Sequence, residues 1–122
     1  QPSYEHGYEV ITMDRYHQIG AQQSIDIIQQ RIGNRPVYIT FDLDCLDPTV
    51  APGVSNIEAG CQGFMMDQVM QLLQAARGMN IIGGDVVCLM PTKDSPNNIT
   101  SMVATAIMFE MISLIADRQQ SS

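Results

Sequence analysis

A three-layer α/β/α fold with a parallel sheet of about three strands and three helices is predicted, on three observations. Strand-like runs alternate with helix-periodic segments along all 122 residues. The run "VYITFD" (37–42) is β-branched and aromatic, and "NIIGGDVV" (80–87) is mostly apolar, as strands covered on both faces are. Strands alternating with helices imply right-handed crossovers, and hence parallel pairing. A chain of this length can form one domain that buries roughly two-thirds of its unfolded surface.

The elements follow in order. Residues 8–13, "YEVITM", are read as a first strand. Ile25, Ile28 and Ile32 recur at helical spacing, and Gly33-Asn34 is a stop signal. After the strand at 37–42 comes a long loop containing Pro48, Pro52, Gly53 and Gly60. Val69, Leu72, Leu73 and Ala76 then form one face of a helix ending near Gly78. The strand at 80–87 leads into the loop "CLMPTKDSPNN" (88–98). Thr100 is expected to cap a final helix whose buried face carries Val103, Ile107, Met111 and Leu114. Residues 117–122 are read as a frayed tail.

Composition narrows the partners. The net charge is −7 with six Lys and Arg, a balance that disfavours nucleic acid and anionic membrane surfaces. The stretch "SMVATAIMFEMISLIA" (101–116) is broken by Thr105 and Glu110 and is short for a bilayer span. Three cysteines without CxxC spacing argue against a disulfide framework or a structural zinc site, and place the chain in a reducing cytoplasm.

The chemistry concentrates at the carboxyl end of the strand at 37–42, where open α/β sheets bind ligands. Asp42, Asp44 and Asp47 fall within six residues. Alternation along an extended chain would project Asp42 and Asp44 to one side. Two carboxylates held together repel unless a cation sits between them, and all-oxygen ligation suits Mg²⁺ or Mn²⁺. The plainer reading is that these residues cap a turn begun at Asp47-Pro48. Spacing alone leaves both open.

The wider context resembles the ureohydrolases, the family of arginase and agmatinase. "YITFDLDCLDPTVAPGVSNIEAG" (38–60) is similar to that family's motif through Phe41-Asp42-x-Asp44-x-Leu46-Asp47-Pro48 and Ala51-Pro52-Gly53, and "GGDVVCLMPTKD" (83–94) resembles a second family segment. Haloacid-dehalogenase-like phosphatases share Asp-x-Asp, but carry Thr or Val where Leu46 stands here. The resemblance implies two manganese ions that activate water to attack a guanidino carbon, releasing urea from a small guanidino substrate. It makes Asp42 and Asp44 metal ligands, Asp47 a turn-former, and Glu58 a residue bordering the site. Cys88 stands where the family usually has a Glu that pairs with the guanidinium.

Three departures shape the expectation. The family's upstream Gly-Gly-Asp-His and Asp-Ala-His-x-Asp segments are not in this sequence, and His6 and His17 are read as surface residues. Cys88 is read as a buried apolar side chain, and Lys93 as solvated. Met65 replaces a Ser or Thr helix cap, a loss of roughly 1 kcal/mol. The chain is therefore expected to be the C-terminal part of a guanidino-group hydrolase, inactive alone and binding manganese weakly or not at all. The alternative is a non-catalytic assembly or regulatory module that keeps the fold. Strand edges left exposed by such truncation predict a homo-oligomer.

Overall fold

The computed structural model describes residues 7–54, 57 and 63–121, with side chains through residue 119. The elements are α1 (Met13–Ile32), β1 (Val37–Asp42), α2 (Met66–Ala75), β2 (Ile81–Val87) and α3 (Ile99–Ser121). Short 3₁₀ turns follow each strand, at Leu43–Cys45 and Pro91–Lys93. β1 and β2 pair in parallel, with Thr40 opposite Asp85 and Asp42 opposite Val87. The α/β class and the parallel sheet stand as expected.

The strand expected at 8–13 does not form. Thr12 is instead the N-cap of α1, its hydroxyl accepting from Arg15 N–H at 3.2 Å, and the helix begins at Met13. The β-branched run Val10-Ile11-Thr12 favours a strand locally, but strand propensity is expressed only against a neighbouring strand. The described sheet has two strands rather than three. At the other end of α1, Gly33 donates to the Gln29 carbonyl with φ of 62°. That left-handed geometry is the reason a glycine stops the helix there.

One face of the sheet is closed by α3. A Cβ on Gly84 would lie 2.9 Å from Met111 Sδ, so glycine lets the helix approach the strand closely. Val103, Ile107, Met111 and Leu114 are all buried, in a core shared with Ile25, Leu43, Val69, Leu73 and Ile81. The opposite face carries Tyr38, Thr40 and Asp85, whose side chains hydrogen-bond at 3.0 Å (Tyr38 to Asp85) and 2.5 Å (Thr40 to Asp85). Tyr38 remains 59% exposed and Ile82 63%.

α3 is longer than the apolar stretch that announced it. It is long and apolar enough to cross a membrane by length and composition, yet one side lies in the core. Its outer side is also apolar, with Met102, Phe109 and Ile112 exposed. The helix continues through the tail residues, where Asp117 accepts two hydrogen bonds at 3.0 Å from Arg77 at the end of α2. Met65, the residue before α2, supplies no side-chain cap, but Gln68 Oε1 accepts from Met65 N–H at 2.9 Å. That bond satisfies one amide where the missing cap left a deficit.

Candidate metal centre

β1 delivers Asp42 to the sheet's carboxyl end, and the chain then leaves the strand. Asp42 Oδ1 accepts from Asp44 N–H at 2.9 Å and so starts the 3₁₀ turn at Leu43–Cys45. This turn, rather than strand alternation, brings Asp44 round beside Asp42. Leu43 is fully buried between them and anchors the turn in the core. Asp44 Oδ1 is buried, while Asp42 is exposed.

Cys88 joins them from β2. Ligand atoms of Asp42, Asp44 and Cys88 all lie within 4.8 Å of one another. Cys88 is exposed rather than a buried apolar side chain. The reason is backbone geometry: its φ is 72°, so the chain turns sharply just past β2 and the side chain swings back toward β1. Left-handed geometry is disfavoured for a residue with a Cβ, and persists only where its surroundings hold it. A hydrogen bond to the Asp42 carboxylate raises the Cys88 thiol above its usual range, with desolvation and the charges of Asp42 and Asp44 adding to it.

The loop after the turn is stapled on both sides. Asp47 N–H donates to Phe64 O, and Phe64 N–H to Cys45 O, both at 2.9 Å. A Cβ on Gly63 would come within 2.5 Å of Asp47 N, so only glycine lets these two segments lie so close. Asp47 Oδ1 accepts from Thr49 N–H at 2.9 Å and from its hydroxyl at 2.7 Å, the turn-forming part expected of it. Those bonds from Thr49 hold its carboxyl below the usual range. On the other side, Met90 N–H donates to Gly53 O at 2.7 Å. Val54 and Leu89 form an antiparallel bridge.

Thr100 does not cap α3. Its hydroxyl is fully buried and accepts from Gly53 N–H at 2.8 Å, tying the aspartate loop to the helix. Asp94 caps instead. Its carboxylate accepts from the N–H groups of Ser95, Thr100 and Ser101, at 2.8, 2.9 and 3.0 Å, and from the Ser101 hydroxyl at 3.1 Å. Asp94 lies within the segment that resembles the family (83–94), and its capping part emerges only in the folded chain. The available signal was an acidic residue just ahead of a helix start rich in Thr and Ser.

Glu58 and His6 lie outside the described residues. His17 is exposed on α1, packed edge-on against Tyr16. Lys93 is exposed in the turn after β2. A cleft of about 410 Å³ is lined by Asp44 and Ser24 together with a mostly apolar wall that includes Tyr16, Ile28, Phe64 and Leu72.

The donor set fits a divalent cation. Ligand atoms sit about 2.0–2.6 Å from such an ion, so two donors on opposite sides can be about 4–5 Å apart, and these three already meet that condition. Among the described residues they do not fill the coordination of two ions.

Residues 1–113 match the Arginase family. The chain belongs to that family. It is 34% identical over 116 residues to an agmatinase from Photorhabdus laumondii, covering 95% of this chain and 37% of the relative. It is 34% identical over 113 residues to a guanidinopropionase from Pseudomonas aeruginosa, covering 93% and 35%. The solved structure of proclavaminate amidino hydrolase from Streptomyces clavuligerus superposes with a TM-score of 0.88 at 32% identity, over 97% of this chain and 40% of that one. This arginase-family chain thus spans well under half the length of the relatives it matches.

Proposed function

We propose that this chain supplies one wall of the metal centre of a manganese-dependent guanidino-group hydrolase that releases urea, of agmatinase or arginase type. The observation that carries the reading is the convergence of Asp42 and Asp44 at the end of β1, in a chain of the arginase family. A bound divalent cation supplies the Lewis acidity that makes water nucleophilic near neutral pH. The chain's own residues hold and position that cation. Asp42 and Asp44 offer carboxylate oxygens, Leu43 anchors the turn between them, and the Gly53–Thr100 and Asp47–Phe64 bonds keep the loop from relaxing. The agmatinase and guanidinopropionase relatives support a small guanidino compound as substrate, and the cysteines without CxxC spacing are the ground for proposing a reducing cytoplasm as the setting.

The isolated chain is expected to be inactive, because three donors leave a two-ion centre unfinished. With Mn²⁺ added, it should release no urea from agmatine or arginine above a protein-free control. Sustained turnover by this chain alone would overturn that claim.

Association follows from the same geometry. A two-stranded sheet has open edges, and the outer side of α3 exposes Phe109, Met102 and Ile112, so we propose a homo-oligomer. Light scattering after size exclusion should give at least twice the 13.5 kDa chain mass. A monomer across the accessible concentration range would refute it.

A further inference from the structure

We propose that Cys88 is a third metal donor beside Asp42 and Asp44, and that it moves this centre's preference from manganese toward softer cations such as zinc and cobalt. The inference rests on reading Asp42 and Asp44 as metal ligands.

Three observations carry it. The Cys88 sulfur already lies within 4.8 Å of both carboxylates, the span a single ion can bridge. Its position is set from either side: Asp42 pairs with Val87, the residue before it, and Leu89, the residue after, bridges to Val54. The φ of 72° at Cys88 is what turns the side chain inward between these two fixed neighbours. On binding, the sulfur–hydrogen bond breaks, the proton passes to solvent, and a sulfur–metal bond forms.

Ligand chemistry gives the direction. Carboxylates alone suit hard ions, whereas a thiolate favours zinc. Three protein donors with one position open is also the usual composition of a reactive zinc site. A Glu at this position, as the resemblance leads one to expect, would keep the donor set hard. Cys88 therefore acts as a specificity-determining residue for the metal.

Cobalt reports the thiolate directly. Titrating Co²⁺ into the full chain should produce a near-ultraviolet thiolate-to-cobalt absorption band. Cys88→Ser should lose the band, while Cys45→Ser and Cys61→Ser keep it. In competition, the ratio of Zn²⁺ to Mn²⁺ affinity should fall at least ~10-fold in Cys88→Ser, the scale at which altered metal surroundings change affinity. Cys88→Glu should lower it too. X-ray absorption of the zinc-loaded wild-type chain needs no variant to fold, and should show a sulfur neighbour at about 2.3 Å. A cobalt band that survives Cys88→Ser, or a zinc environment without sulfur, overturns the proposal. Mn²⁺ bound by the wild type and lost in Asp42→Asn/Asp44→Asn, with no cobalt thiolate band, refutes the part given to Cys88 alone. If no cation binds the wild-type chain, the metal-centre reading itself falls.

Discussion

Replacing both site carboxylates, Asp42→Asn with Asp44→Asn, is expected to weaken Mn²⁺ binding at least ~100-fold, beyond what losing a supporting group around a metal usually costs. Each substitution keeps the shape of the side chain and an oxygen that can accept a hydrogen bond. The Asp44 N–H to Asp42 Oδ1 bond that starts the turn can therefore persist. What disappears is the negative charge that makes the pocket attractive to a cation. Far-ultraviolet circular dichroism should be unchanged, while calorimetry should lose the saturable Mn²⁺ isotherm. An isotherm of wild-type affinity in the double variant would move the metal elsewhere in the chain.

The largest effect on stability is expected at Asp94. Partial burial by itself would raise its carboxyl. The N–H groups of Thr100, Ser101 and Ser95 and the Thr100 hydroxyl outweigh that and hold it well below the usual carboxylate range. The folded state thus prefers the ionised form more strongly than the unfolded chain does. Its contribution is complete above the unfolded value near 4 and is lost as pH falls below that toward the folded value. Asp94→Asn should lower the melting temperature by several degrees at pH 7, because one acceptor oxygen becomes a donor facing N–H groups. The gap between variant and wild type should narrow as pH drops below about 4. Asp47 and Asp117, held low by Thr49 and Arg77 respectively, leave the variant some acid sensitivity. A gap independent of pH from 7 to 2.5 would contradict this account of Asp94.

Features encoded by adjacent residues were legible in the sequence. The β-branched and aromatic run "VYITFD", the Ile25/Ile28/Ile32 stripe and the Gly33 stop are local signals, and each element formed where it was expected. The buried face of α3 was readable for the same reason, since Val103, Ile107, Met111 and Leu114 repeat at helical spacing. Misreadings arose where distant contacts decide. Val10 and Ile11 resemble a strand, but among the described residues no strand pairs with them and Thr12 caps a helix instead. Thr100 resembles a cap until Gly53, far along the chain, takes its hydroxyl and Asp94 supplies the capping oxygens instead.

The site divides in the same way. The Asp42 and Asp44 pair was visible as a motif, but the turn that joins them depends on Leu43 finding the core. Cys88 looked like one more apolar side chain, because no sequence pattern reveals a left-handed residue of this type. Its return toward Asp42 is a product of two flanking pairings, Asp42 with Val87 and Val54 with Leu89. The motif therefore announced the carboxylate pair, and the pairing of distant segments brought Cys88 beside it.

The most direct measurement is anomalous X-ray scattering at the manganese edge from crystals of the chain soaked in Mn²⁺. A peak is predicted within coordination distance of carboxylate oxygens of both Asp42 and Asp44, vanishing in Asp42→Asn/Asp44→Asn. A peak confined to other carboxylates, or none between these two at saturating Mn²⁺, would contradict a metal centre at the end of β1.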